Sequence, residues 1–153
     1  MSNKDLVILT NLRQNARMPL TTMSKKTNIP VSTLFDRLKM NETSLIIKHT
    51  SLLDFAKLGY MTRANISLKV HRDDKESVKN FLLKHEMVNS LYRINNGFDF
   101  MIEGIFKQIL DMENFIDSLE NKFKIEDKRF FFIIEDLKRE SFMSDPDLVF
   151  PNI

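Results

Sequence analysis

Ser32, Thr33, Asp36, Arg37 and Lys39 lie along one short stretch and bring together hydroxyls, a carboxylate, a guanidinium and an ammonium. Such a set donates and accepts hydrogen bonds and carries positive charge, which suits base edges and the phosphates around them. Arg37 can form a forked pair with guanine or grip a phosphate, and only the first carries sequence information. Asp36 can accept from cytosine or orient Arg37 and Lys39, while Ser32 and Thr33 bond bases or phosphates with little preference. Lys25, Lys26, Lys48 and His49 flank the stretch and are assigned to phosphates on either side. The plain alternative for each is a solvated charged surface.

Other chemistries find less support. His49, His71 and His85 are scattered without metal-ligand spacing, and the chain has no cysteine, so thiolate metal sites and disulfides are excluded. The acidic pairs Glu126-Asp127 and Glu135-Asp136 lie on no evident pocket wall, and no glycine loop for phosphate exists. Neither an enzyme nor a cofactor is therefore predicted. Nine methionines and thirteen phenylalanines follow helical and strand spacing, which fits core packing better than a ligand box.

The basic set needs a scaffold, and the surrounding sequence supplies one. Asp5 can cap a helix that continues to about Asn15, with Ile8, Leu9 and Leu12 on one side. After Met18-Pro19-Leu20, Thr21 or Thr22 can cap a short second helix reaching about Thr27. Asn28-Ile29-Pro30 interrupts it, with Asn28 suited to a left-handed turn and Pro30 to the start of a third helix over residues 31–41. Val31, Leu34, Phe35 and Leu38 stand at i, i+3, i+4 and i+7, a predicted buried stripe that turns the polar set outward. Two short helices across a tight turn, the second with an apolar back, form the helix-turn-helix pattern. Residues 45–53 mix β-branched and polar side chains, as expected of a hairpin wing.

Past Gly59 the period changes. Tyr60, Thr62, Ala64, Ile66, Leu68 and Val70 alternate with polar partners, a half-buried strand. Asp73 or Asp74 caps a helix to about Lys84, and residues 88–94 form a second strand. Asn95-Asn96-Gly97 makes a hairpin turn, and residues 98–106 form a third strand. A helix marked by Ile109, Met112, Ile116, Leu119 and Phe123 and a fourth strand over 130–134 complete the order βαββαβ, the ferredoxin-like arrangement. Its helices cover one face of the sheet, so a second subunit is the simplest cover for the other.

Charge divides the same way. Residues 1–59 hold nine Lys/Arg against four Asp/Glu, a net of +5, whereas residues 60–153 hold fourteen against seventeen, a net of −3. A basic module for nucleic acid attached to a neutral or acidic one is expected. Residues 1–17 carry charges throughout with no apolar core for a signal peptide, and the longest apolar run, 130–134, falls far below the ~18 residues of a membrane span. A cytoplasmic protein with no membrane partner is expected.

At this point the chain resembles a known family, the leucine-responsive and AsnC-type (Lrp/AsnC) regulators. The resemblance runs from about Asp5 to Lys138. Ile8-Leu9-x-x-Leu12 with Asn15-Ala16-Arg17, Ser32-Thr33-Leu34-x-x-Arg37-Leu38, Leu58-Gly59-Tyr60, Phe98-Asp99-Phe100 and Asp111-Met112 carry it. It implies an α+β protein: a winged helix-turn-helix over 1–52, a strand-containing linker over 53–62 and a ferredoxin-like βαββαβ effector and oligomerisation domain over 63–140. A tail over 141–153, where Pro146 and Pro151 argue against helix, is left without a role. The resemblance also implies double-stranded DNA as a partner, a homodimer that can assemble into tetramers or octamers, and an amino acid or related metabolite as effector. By the same resemblance Asn96, Gly97 and Asp99 fall at the effector turn. Asn28 and Asn96 stand where the family usually has glycine, and asparagine tolerates the left-handed backbone best among other residues. Two alternatives remain: an architectural protein that binds DNA with little sequence preference, and a relative of the sirohaem decarboxylases, whose histidine- and arginine-bearing segments find no counterpart here.

Overall fold

The computed structural model describes residues 2–149, and Phe150 to Ile153, with the Pro151 of the tail, lie outside them. Helix α1 spans Asn3–Gln14, α2 Leu20–Thr27 and α3 Val31–Ser44, with Ile8, Met23, Ile29 and Leu34 buried between them. The start of α1 differs from expectation. Ser2, not Asp5, is the cap: the Asp5 amide donates to Ser2 Oγ at 3.3 Å, and the Ser2 amide donates back to Asp5 Oδ2 at 2.9 Å. This reciprocal box satisfies two of the orphan donors at a helix start. Helix α2 begins behind Pro19 with no side-chain cap, so neither Thr21 nor Thr22 serves as one. Asn28 then takes φ 56°, the left-handed conformation required for the sharp turn into α3.

Two further expectations fail in this unit. Val31 and Phe35 do not join the buried stripe; Leu34 is buried, Leu38 half-buried, and the buried position one turn on is Asn41. The reason is geometric: α1 and α2 meet α3 along the line through Leu34 and Asn41, which leaves the Val31–Phe35 flank uncovered. Nor is there a hairpin wing. The Ile46 amide bonds the Asn41 carbonyl at 2.8 Å and ends the helix, and residues 46–54 then form no strand. No glycine or Asn-Gly pair lies there to reverse the chain between two strands.

The second unit is a four-stranded antiparallel sheet in the order β2-β3-β1-β4, with β1 at Thr62–Val70, β2 at Val88–Arg93, β3 at Phe100–Phe106 and β4 at Ile125–Phe132. Helices α4 (Lys75–Lys84) and α5 (Ile109–Lys122) complete βαββαβ. Alternation along β1 puts Ala64, Ile66, Leu68 and Val70 on the face that packs with Val78, Leu82, Met112, Phe115 and Leu119 of the helices. Strand β3 starts at Phe100 instead of Phe98. Strand β4 starts five residues before the expected 130, and Glu126-Asp127, expected before it, lies inside it. As an edge strand β4 has one open side, and it tolerates the charged run 126–129 that hid its beginning in the sequence.

The described residues pack as two compact units, one formed up to Leu52 together with residues 137–149, the other by Leu53–Asp136. The tail thus belongs with the N-terminal helices. Arg13 Nε donates to the Phe142 carbonyl at 3.0 Å, and its Nη2 and Nη1 donate to the Glu140 carbonyl and carboxylate at 3.0 and 3.2 Å. A short helix α6, Pro146–Val149, follows, against the expectation that the prolines bar one; Pro146 occupies the first helical position, where its missing amide costs nothing.

Candidate nucleic-acid interface

The outward face of α3 follows from which side is buried. Opposite the Leu34–Asn41 line stand Ser32, Asp36 and Lys39, all exposed, with Thr43 a turn beyond. The side chains of Ser32, Asp36 and Lys39 make no hydrogen bond or ion pair with any other described residue. Thr33 is half-buried on the α1 side. Lys25 and Lys26 are exposed in the last turn of α2, with Lys26 Nζ donating to Gln14 Oε1 at 3.2 Å. Lys48 and His49 are exposed in the extended segment after α3, where His49 Nε2 lies 3.2 Å from Glu42 Oε1.

Arg37 stands apart from this set. Its Nη1 donates to Ser2 Oγ at 2.8 Å and to Asp5 Oδ1 at 3.0 Å, and its side chain retains 33% of its exposure. The bonds from Ser2, side chain then backbone, hold the Asp5 carboxyl well below the usual carboxylate range; burial opposes this and Arg37 reinforces it. Arg37 therefore locks α3 to the start of α1. Sequence reasoning gave it an outward role and missed the clamp, although Ser2-x-x-Asp5 is a readable capping signal.

In the second unit the β2–β3 turn has Asn96 at φ 62° and Gly97 at φ 84°. Asp99, assigned to an effector, is already engaged: Oδ2 accepts from the Val70 amide at 2.8 Å and Oδ1 meets Lys75 Nζ at 2.7 Å. Burial works against its charge, but the Lys75 and Val70 bonds prevail and hold its carboxyl below the ordinary value. Asp99 thus ties the turn to β1 and α4. Beside it an open depression of about 370 Å³ is lined by Lys69, His71, Arg72, Gly97 and Phe98. On the sheet face away from the helices, Arg63 Nε donates to Glu103 at 3.1 Å and its Nη1 to both oxygens of Asp136 at 2.8 and 2.9 Å. Tyr92 and Phe131 stand exposed on that face. Among the described residues no group of three or more His, Cys, Asp or Glu could hold a metal, and no helix is long and apolar enough to cross a membrane.

A three-helix unit with a helix-turn-helix, followed by a ferredoxin-like sheet, defines a two-unit regulator whose recognition element is the helix-turn-helix. Comparison with known proteins agrees. Residues 63–142 match the Lrp/AsnC ligand binding domain, and the chain belongs to the Lrp/AsnC family of transcriptional regulators. An uncharacterised HTH-type transcriptional regulator of Pyrococcus furiosus is 26% identical over 93% of this chain and 96% of its own length. The HTH-type transcriptional regulator FL11 of Pyrococcus horikoshii is 29% identical over 74% of this chain and 76% of its own. Among solved structures, a Neisseria meningitidis transcriptional regulator in complex with L-Met superposes with a TM-score of 0.84 at 20% identity, covering 91% of this chain and 93% of that one. Escherichia coli AsnC gives 0.81 at 18% identity, covering 94% and 98%. Both share the fold.

Proposed function

We propose that the protein regulates transcription by laying α3 in the major groove of double-stranded DNA, with Ser32, Asp36 and Lys39 against base edges. The observation that supports this most is the unpartnered outward face of α3, polar and hydrogen-bonding, on a unit of net positive charge. Thr33 reaches the adjoining phosphate, Lys25 and Lys26 grip the backbone on one side, and Lys48 and His49 do so from the extended segment on the other. Arg37 acts first by positioning α3, and its remaining donors serve a phosphate rather than a guanine.

Selection of bound duplexes from a random pool, followed by fluorescence anisotropy across a salt series, tests this. Log affinity is expected to fall against log salt with a slope of about −0.9 per phosphate neutralised. Lys39→Ala is expected to weaken binding well beyond Lys138→Ala. No binding to any duplex in dilute buffer rejects the proposal.

The second module is read as a sensor that also joins subunits. The L-Met complex of the Neisseria relative favours an amino acid as ligand, and the depression beside Asn96 and Gly97, lined by Lys69, Arg72 and Lys75 together with Asp99 and Glu126, offers charges of both signs for its carboxylate and ammonium. Thermal-shift measurement against individual amino acids tests this, since a ligand of the folded state raises Tm with its concentration. The outer sheet face, with Tyr92 and Phe131 around the Arg63–Glu103 pair, is the proposed contact with a second copy of the chain.

A further inference from the structure

The Val31–Phe35 flank of α3 carries a consequence for what the helix reads. Phe35 keeps 56% of its exposure and Val31 40%. They lie one turn apart on the same side, next to Ser32, Asp36 and Lys39. Single exposed apolar residues are ordinary on protein surfaces, so exposure alone decides nothing. Three features together do. The pair occupies the N-terminal half of the helix, the part of a recognition helix that meets base edges. Its neighbours on the outward side, Ser32, Asp36 and Lys39, offer hydrogen-bond donors and an acceptor with no net charge, which fits base edges with apolar spots between them. Arg37, the one arginine of α3, is turned to Ser2 and Asp5, so the forked arginine pair with guanine is not offered by this helix.

Among the features displayed in the major groove, the 5-methyl group of thymine is the one that an apolar side chain recognises. We propose that Phe35, supported by Val31, is a specificity-determining residue that packs on thymine methyls, and that the target sites are correspondingly rich in thymine where the start of α3 sits. The inference rests on the proposed seating of α3 in the major groove.

The test uses a duplex selected from a random pool by the full chain, with each thymine replaced in turn by deoxyuridine, which removes the methyl and keeps the base pair. Wild-type affinity is expected to fall about three- to fivefold at the thymines facing Phe35, the value of one buried methyl. Phe35→Ala is expected to bind the thymine and deoxyuridine duplexes equally, and Phe35→Leu to keep part of the difference. Wild-type binding that ignores every methyl, or a Phe35→Ala protein as methyl-sensitive as wild type, overturns the inference while leaving the groove seating intact. A Phe35→Ala protein of altered sedimentation mass also overturns it, because Phe35 then belongs to a subunit contact. Failure of the wild-type protein to bind any duplex removes both the seating and the inference.

Discussion

Arg37 shows what can and cannot be read from a residue's type. A guanidinium on a short helix announces an anionic partner, but whether that partner is guanine, phosphate or carboxylate depends on what lies within reach, and here Ser2 and Asp5 do. The ion pair and the capping box share one carboxylate, so Asp5→Asn should loosen both. It is expected to cost about 1 kcal/mol of stability, measured by denaturant unfolding. The pH dependence has a definite sign. Because folding lowers the Asp5 pKa below its ordinary 3.8, its contribution is complete above that pH and is lost as pH falls below it towards the folded value. Unfolding curves between pH 5 and about pH 2 should show a shallower acid slope for Asp5→Asn than for wild type. Phe35 teaches the converse: helical spacing placed it in the core, while the arrangement of α1 and α2 leaves it on the surface.

At the level of elements, periodicity carried most of the fold. Period-two alternation located β1 to within two residues, and the succession βαββαβ matches the observed strand order β2-β3-β1-β4. The sequence hid what depends on neighbours: β4 begins in a charged run that only an edge strand accepts, and the expected wing never pairs because nothing reverses the chain. Register also decides where small residues are required. Gly104 lies between Ala64 and Val88, and a Cβ there would stand 2.5 and 2.7 Å from two carbons of the buried Phe106 ring. The fully buried Phe106 ring must shift to admit it, so Gly104→Ala is expected to destabilise by about 1–3 kcal/mol. Denaturation midpoints of the two proteins measure this directly. The α2–α3 turn gives a second case. Asn28→Gly is expected to be neutral or slightly stabilising and Asn28→Ala to cost about 1 kcal/mol or more, because φ 56° penalises a Cβ that lacks local hydrogen bonding. A reversed order would show that the turn relaxes out of the left-handed region.

For the molecule as a whole, charge asymmetry was the most informative global feature, since +5 resides in the part of the chain that holds the helix-turn-helix. Composition gave no warning that the tail returns to that part. Arg13 holds it through the Glu140 and Phe142 carbonyls, and both Glu140 and Met143 take positive φ to make the turn. Arg13→Ala is therefore expected to speed proteolytic cutting within residues 139–144 several-fold while leaving fragments of the ferredoxin-like unit intact. Equal cutting rates would mean that the clamp does not retain the tail. The central claim, that α3 reads duplex DNA with its outward face, is best tested by one ratio: affinity for a selected duplex over affinity for bulk genomic DNA. For a Ser32→Ala/Lys39→Ala protein that ratio is expected to fall about tenfold or more, with bulk binding changed far less. A ratio identical to that of the wild type would contradict the account.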